Sequence, residues 1–391
     1  MPRIVLFDGP SREDLLPLTF TRPVCFLRVG ILTIKEKWEH HYTGQVLVHT
    51  QDYLKPKFGD EIPEDNSLFV DGSVIPTPTF IHTLHDLPEK TCITSAGQTI
   101  AFRGNLGHLK QGGLKEYKEI EVDAGLIVEI NSPADMFSLN GLAIEQDIQL
   151  FVHLDAEVDE SNTIIGSELY MEEGAQVMAS IINTDSGPVY LGKNSQVMEG
   201  CMIRGPFALG EGAVLKMGTK IYGPTTIGPY SKVGGEVNNS IIQAYSNKGH
   251  DGFLGNSVIG EWCNLGADTN TSNLKNNYGN VRVWNYKKKE LIDSGRMFHG
   301  LIMGDHSKSS INSMFNTGTV VGVNSNIFQA GFPPKFIPSF SWGSGPSSKT
   351  FELEKSFEVA KWVCSRRDMD FSAQEEDMMR HIFDITKEFR T

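Results

Sequence analysis

The sequence predicts an α/β domain followed by a parallel β-helix and closing helices, and three observations carry that prediction. Strand-like and helix-like stretches alternate over roughly the first 150 residues. Every sixth residue from Leu191 to Val233 is then aliphatic: Leu191, Val197, Ile203, Leu209, Leu215, Ile221, Ile227 and Val233. With roughly one residue in five being Ile, Leu or Val, such a run has odds of about a few in a million per starting point. A period of six fits neither the 3.6 of a helix nor the 2.0 of a strand. It fits a chain that turns a corner every six residues and points one aliphatic side chain into a prism. The third observation is an amphipathic, capped C-terminal tail.

In the first segment, 1–150, Ile4 to Phe7 reads as a strand ending at the turn Asp8-Gly9-Pro10. Val29 to Trp38 has helical spacing, and Gln45 to His49 and Ser67 to Val70 read as short strands. Alternation of this kind predicts a parallel sheet. Residues 119–131 read as a strand pair, and the stretch after Ser132-Pro133 reads as a helix to about Leu150. From 151 to 337 the hexapeptide takes over. Val152, Val158 and Ile164 keep its step, and Ile165, Met171 and Val177 continue after a slip of one. The phase is lost across 238–252 and returns at Phe253, Ile259 and Leu265. It breaks again over 270–300 and resumes at Met303, Ser309, Phe315, Val321 and Ile327. Such interruptions leave a solenoid as loops, and loops bind ligands. Pro333-Pro334 reads as the end of the repeat. Residues 338–391 read as a Gly/Ser/Pro linker (338–349) and two helices. One carries the stripe Phe357, Ala360, Val363 and Cys364; the other has the capping-box pair Ser372 and Glu375 and runs to about Phe389.

Composition narrows the function. A net charge of −13 excludes general nucleic-acid binding and does not suit an anionic membrane surface. Between Leu191 and His250, however, Lys193, Arg204, Lys216, Lys220, Lys232 and Lys248 outnumber Glu199, Glu211 and Glu236. That stretch is +3 within an acidic chain, compatible with a solvated face or with a groove for an anionic small molecule. Five scattered cysteines without a C-x-x-C pair suggest reduced thiols in a cytoplasm. The quickly polar N-terminus does not read as a signal peptide, and no apolar stretch is long enough to span a bilayer.

The run KGHDGFLGNSVIGEWCNLGADTNTSN, Lys248 to Asn273, resembles the acetyltransferase half of the bifunctional GlmU enzymes, N-acetylglucosamine-1-phosphate uridyltransferase / glucosamine-1-phosphate N-acetyltransferase. That family has a K-x-G-H segment, a Leu-Gly, an Ile-Gly hexapeptide, then N-[IL]-G-A-x-T and a further Asn. The whole chain is most similar to a divergent, bacteroidete-type GlmU-like protein. The resemblance implies a left-handed β-helix, a homotrimer and acetyl-CoA as co-substrate, with a sugar phosphate as acceptor. It implies His250 as general base, a role that suits a group of near-neutral pKa facing an ammonium that must lose a proton before it attacks. It implies Asn264 as a contact to the sugar phosphate and Asn273 as a contact near the amine. Phe253 stands where the family has a tyrosine, which removes a hydroxyl from the phosphate site. Lys248 belongs to the same substrate segment. Glu236 orients sugar hydroxyls or the histidine on this reading, and is an exposed corner carboxylate on the plain one. Ala330 and Gly331 fall in the later coil where acetyl-CoA would pass.

The run LLPLTFTRPVCFLRVG, Leu15 to Gly30, resembles the signature of sugar-phosphate nucleotidyltransferases. FDGPSRED stands in place of the usual Gly-rich loop, and Val24 replaces the lysine after the proline. Arg12, Arg22 and Arg28 are the candidates for holding nucleotide phosphates, with UTP the expected donor. Asp71 in LFVDGS resembles the family's Mg²⁺-holding aspartate, and equally a plain Asp-Gly turn. Three alternatives stand beside acetyl transfer. One is uridylyl or thymidylyl transfer as the main activity. Another is a zinc site drawn from His153, His250, His299 and His306. The third is a non-catalytic scaffold.

Overall fold

The computed structural model describes residues 2–110, 113–345 and 348–390, and the chain forms two compact units. The first comprises residues up to Leu15, Thr21–Leu27 and Leu32–Ser132. The second comprises Leu16–Phe20, Arg28–Ile31 and everything from Pro133.

The first unit is built on one mixed sheet. Ile4–Phe7 pairs in parallel with both Val46–His49 and Ser67–Asp71. Ser67–Asp71 then pairs antiparallel with Gln98–Gly104, which forms a hairpin with Thr91–Ser95. Its core packs Val5, Phe7, Phe69 and Phe102, with the Phe69 and Phe102 rings stacked at 4.6 Å. The first helix runs Ile34–His41 rather than from Val29, because Thr33 caps it: the Thr33 side chain accepts from Glu36 N, and Glu36 reaches back to Thr33 N. Residues 119–131 do hold two strands, Lys118–Glu121 and Val128–Glu129, but these do not pair with each other. They join Thr91–Ser95 and Val74–Ile75 respectively.

The second unit carries the predicted prism, and the fold class read from the sequence is the one observed. Three parallel ladders wind in turn. On the first face Leu191 lies in register with Leu209 and Ile227. On the second, Val197 registers with Leu215 and Val233. On the third, Ile203 registers with Ile221. The whole six-residue series is therefore three columns of an eighteen-residue coil, and all eight side chains are buried in one apolar interior. Met303, Phe315, Val321 and Ile327 continue that interior.

Four details differ from the sequence reading. Ile164, not Ile165, is in register with the inward-facing Ile182, and Val152 is exposed. Leu254, not Phe253, registers with the inward-facing Val237. The two coils directly after Val233 are shorter than the eighteen residues before them, so a fixed step of six overshoots there. Phe336–Ile337 extends the first face beyond Pro333-Pro334. Ser341–Trp342 and Lys349–Thr350 extend the second face through the stretch read as a linker, of which 346–347 lie outside the described residues. Over 270–300 a hairpin, Arg282–Asn285 with Glu290–Asp293, leaves the solenoid. The tail forms helices Leu353–Ser365 and Ala373–Ile385, the second with the expected Ser372/Glu375 capping box. No helix among the described residues is long and apolar enough to cross a membrane.

Candidate functional site

His250 lies at the corner where the chain leaves the second face at Asn247–Lys248 and enters the third at Phe253–Gly255. The imidazole is exposed. What holds it there is Lys248. The register Val233↔Lys248 puts this lysine at an inward position that neighbouring coils fill with aliphatic side chains, and it is 1% exposed. Its ammonium donates to three backbone carbonyls: Gly234 O at 2.8 Å, His250 O at 3.1 Å and Gly252 O at 2.8 Å. Burial pushes its pKa down to about 8, while the carboxylates of Asp251, Asp268 and Glu236 act in the opposite direction. Gly235, at φ +74°, makes the arrangement possible, since a Cβ there would stand 2.9 Å from the lysine nitrogen. Lys248 is thus turned into the prism and tethers the corner, in place of the substrate contact expected of it.

The third face beside this corner gathers more of the predicted residues. Glu236 is in register with Phe253. A Cβ on Gly255 would meet the Phe253 ring at 2.5 Å and Asn273 Nδ2 at 2.7 Å, so those two side chains converge on a bare stretch of backbone. Asn273 Nδ2 donates to Asn256 Oδ1 at 2.7 Å. Asn264 stands exposed on the second face, in register with Asn247, three residues before His250. Ala330 and Gly331 are exposed on the same edge of the prism as His250, three coils further on.

The four histidines are not brought together. His299 is buried edge-on against Phe137, and burial pushes its pKa down to about 4. His306 stacks on Trp262 at another corner, while His153 is exposed before the first coil. No group of three or more metal-ligating side chains occurs among the described residues.

In the first unit the turn after Ile4–Phe7 holds a buried polar cluster. Asp8 accepts from Val24 N at 2.9 Å and from the Thr50 hydroxyl at 2.6 Å, with Arg12 Nε 3.6 Å away. Arg12 donates to the Tyr53 hydroxyl at 2.7 Å. Asp71 lies in register with Phe7, and its carboxylate accepts from Ser73 N at 2.9 Å and Ser73 Oγ at 2.8 Å. A Cβ on Gly9 would overlap Asp71 Oδ2 at 1.7 Å, which explains glycine at that turn. Burial raises the pKa of Asp8 and pushes that of Asp71 up to about 6. Arg22 is buried in this unit. Arg28 belongs to the second unit, where its backbone exchanges hydrogen bonds with the Gln243 amide. Asp8, Thr50 and Tyr53 were not singled out in the sequence. Their only signal is the Asp that ends the first strand.

The fold is a hexapeptide-repeat solenoid that follows an α/β unit in the chain. A sugar nucleotidyl transferase family model matches residues 4–154. An uncharacterized acetyltransferase of Escherichia coli, YaiX, is 30% identical over 212 residues, covering 54% of this chain and 84% of its own. The bifunctional protein GlmU of Methanococcus aeolicus is 39% identical over 90 residues, 23% of this chain and 21% of its own. A bifunctional sugar-1-phosphate nucleotidylyltransferase/acetyltransferase of Sulfurisphaera tokodaii is 33% identical over 144 residues, 36% of this chain and 35% of its own. The match thus spans about a fifth of the length of the GlmU relative. The chain belongs to the same family as the YaiX acetyltransferase and is GlmU-like.

Proposed function

We propose that the chain transfers an acetyl group from acetyl-CoA to the amine of an amino-sugar 1-phosphate, with glucosamine 1-phosphate as the expected acceptor. The observation that carries this reading is the exposed His250 on a corner tethered through three carbonyls by a buried lysine. A base carried on a backbone held in one place is what the reaction requires. The amine nitrogen attacks the thioester carbonyl, and its proton passes to the free ring nitrogen of His250. The tetrahedral adduct then collapses, the C–S bond breaks, and the departing thiolate takes the proton back. Glu236, Phe253 and Asn273 line the adjoining face, within reach of a sugar seated beside the corner. Three coils separate His250 from Ala330 and Gly331, about 14 Å at the usual strand spacing, which suits an extended acyl-donor arm along this edge.

A second activity, nucleotidyl transfer from UTP, is assigned to the first unit. Asp8 and Asp71 are two carboxylates gathered at one buried turn, where burial raises the pKa of both. They fit Mg²⁺, which binds through one or two carboxylates and completes its shell with phosphates and water. The bound ion would neutralise phosphate charge, and Arg12 and Arg22 would hold the nucleotide. A homotrimer is supported by exposed apolar side chains on the third face, where Ile165, Ile181, Met202 and Tyr222 are 39–54% exposed beside Asn183, Arg204 and Lys220.

The deciding experiment is His250→Ala. Acetyl transfer to glucosamine 1-phosphate should fall at least about 100-fold, the scale of general-base catalysis, with circular dichroism unchanged. Full activity in that variant rules the reading out.

A further inference from the structure

The +3 stretch of the sequence resolves into separate destinations. Arg204 and Lys220 line a groove on the third face, and Lys248 points inward. Lys232 belongs to an outward row on the second face, in register with Asn247, Asn264 and Lys308. Against this row lies the turn that ends the helix Leu353–Ser365, carrying Arg366 and Arg367. The two enclose a cleft of about 360 Å³ lined by Asn247, Asn264, Lys308, Arg366 and Arg367, with the edges of Tyr245 and Trp262 as its wall.

The charge in this cleft is one-sided. Arg367 Nη2 is 3.4 Å from Asn247 Oδ1. Lys308 donates to His306 O at 2.7 Å, and burial pushes its pKa down to about 8. Lys232 is pushed down by burial and then by Arg367, Lys216 and Arg366, all of them cations. Carboxylates do stand at the neighbouring corner, but Glu211 accepts from the Tyr230 hydroxyl there. The carboxyl end of a helix carries about half a negative charge, enough to favour one nearby cation. It does not account for three, Lys308, Arg366 and Arg367, in a chain whose net charge is −13. The ring faces of Tyr245 and Trp262 are already stacked on each other at 4.4 Å, so a ligand meets only their edges. Cations and amides with no free aromatic face select a compact anion over a flat base.

We propose that this cleft is a phosphoryl-binding site in which Arg366 and Arg367, with Lys308 beside them, neutralise a phosphate monoester or diphosphate while the Asn247 and Asn264 amides fix its orientation. The assignment of that phosphoryl group to the acetyl acceptor rests on the reading above; the anion site does not.

The test is calorimetric titration of the full chain with inorganic phosphate at low salt. Binding should be measurable by about 10 mM, the range of a weak single site. Arg366→Ala/Arg367→Ala should weaken it at least tenfold, and Arg12→Ala and His250→Ala should leave it unchanged. Absence of binding, loss in Arg12→Ala, or retention in the double variant overturns the proposal. Competition then separates the sources: displacement by glucosamine 1-phosphate assigns the site to the sugar phosphate, displacement by coenzyme A to the acyl donor, and displacement by neither overturns it. Because His250→Ala reports separately on acetyl transfer, failure of the acetyl-transfer reading leaves the anion site standing, and loss of the anion site leaves that reading standing.

Discussion

Lys248 shows how much one residue can change a coil. Its neighbours in the inner column are aliphatic, so Lys248→Met fills the space, but it strands three carbonyls at the His250 corner. Leaving buried acceptors unpaired costs about 1–3 kcal/mol. The variant should fold, melt at lower temperature and lose acetyl transfer along with the tether. Its pH profile should differ as well. A lysine whose folded-state pKa is about 8, against an ordinary 10.5, binds its proton less readily folded than unfolded. Wild-type stability should therefore gain from this group as pH rises from 8 to 10.5, by on the order of 3 kcal/mol, and Lys248→Met should lack that increment. Identical slopes in thermal melts at pH 8 and pH 10 would refute the assignment. Lys248 was legible in the sequence as part of the motif, but its direction was not. A lysine beside Gly-His reads as exposed until the coils after Val233 shorten and bring it into the inner column.

At the scale of elements, the corner between the first and second faces repays inspection. Asn194, Tyr230, Tyr245, Trp262, His306, Asn324 and Phe340 all occupy it with φ between 52° and 59°. Side-chain-bearing residues pay about 1 kcal/mol or more for that conformation. Four of them recover it by stacking: Tyr230 on Tyr245 at 5.4 Å, Tyr245 on Trp262 at 4.4 Å, and Trp262 on His306 at 6.1 Å. Such pairs contribute about 0.5–1.5 kcal/mol each beyond burial. Trp262→Ala removes two pairs but keeps the strained corner, so it should destabilise by about 3 kcal/mol or more. Trp262→Gly removes the same contacts and relieves the backbone. It should cost no more than the alanine, and urea titrations of the two would show it. The hexapeptide period announced these corners in the sequence. It did not announce the aromatic stack, because Tyr230, Tyr245, Trp262 and His306 are separated by unequal steps that only the coil register equalises.

For the whole molecule, charge and the exposed stripe matter most. A cationic cleft on a chain of net charge −13 concentrates attraction for small anions at one place. The stripe of Ile165, Ile181, Met202 and Tyr222 is the surface whose burial would stabilise a trimer. On the proposed homotrimer, Met202→Glu puts a carboxylate in the middle of this stripe and should shift the mass measured by light scattering toward the monomer. A mass unchanged by the variant would place the contact elsewhere.

The sequence by itself determined the prism, because a repeating aliphatic step leaves one way to bury every sixth side chain, and it pointed to a candidate site through the motif from Lys248 to Asn273. Tertiary structure decided the rest. It turned Lys248 inward and set Leu254 rather than Phe253 in the core. It also brought Arg366 and Arg367, more than a hundred residues on, against Asn247 and Asn264. These outcomes depend on coil lengths and on where a distant helix docks, and neither is written in any local run of residues.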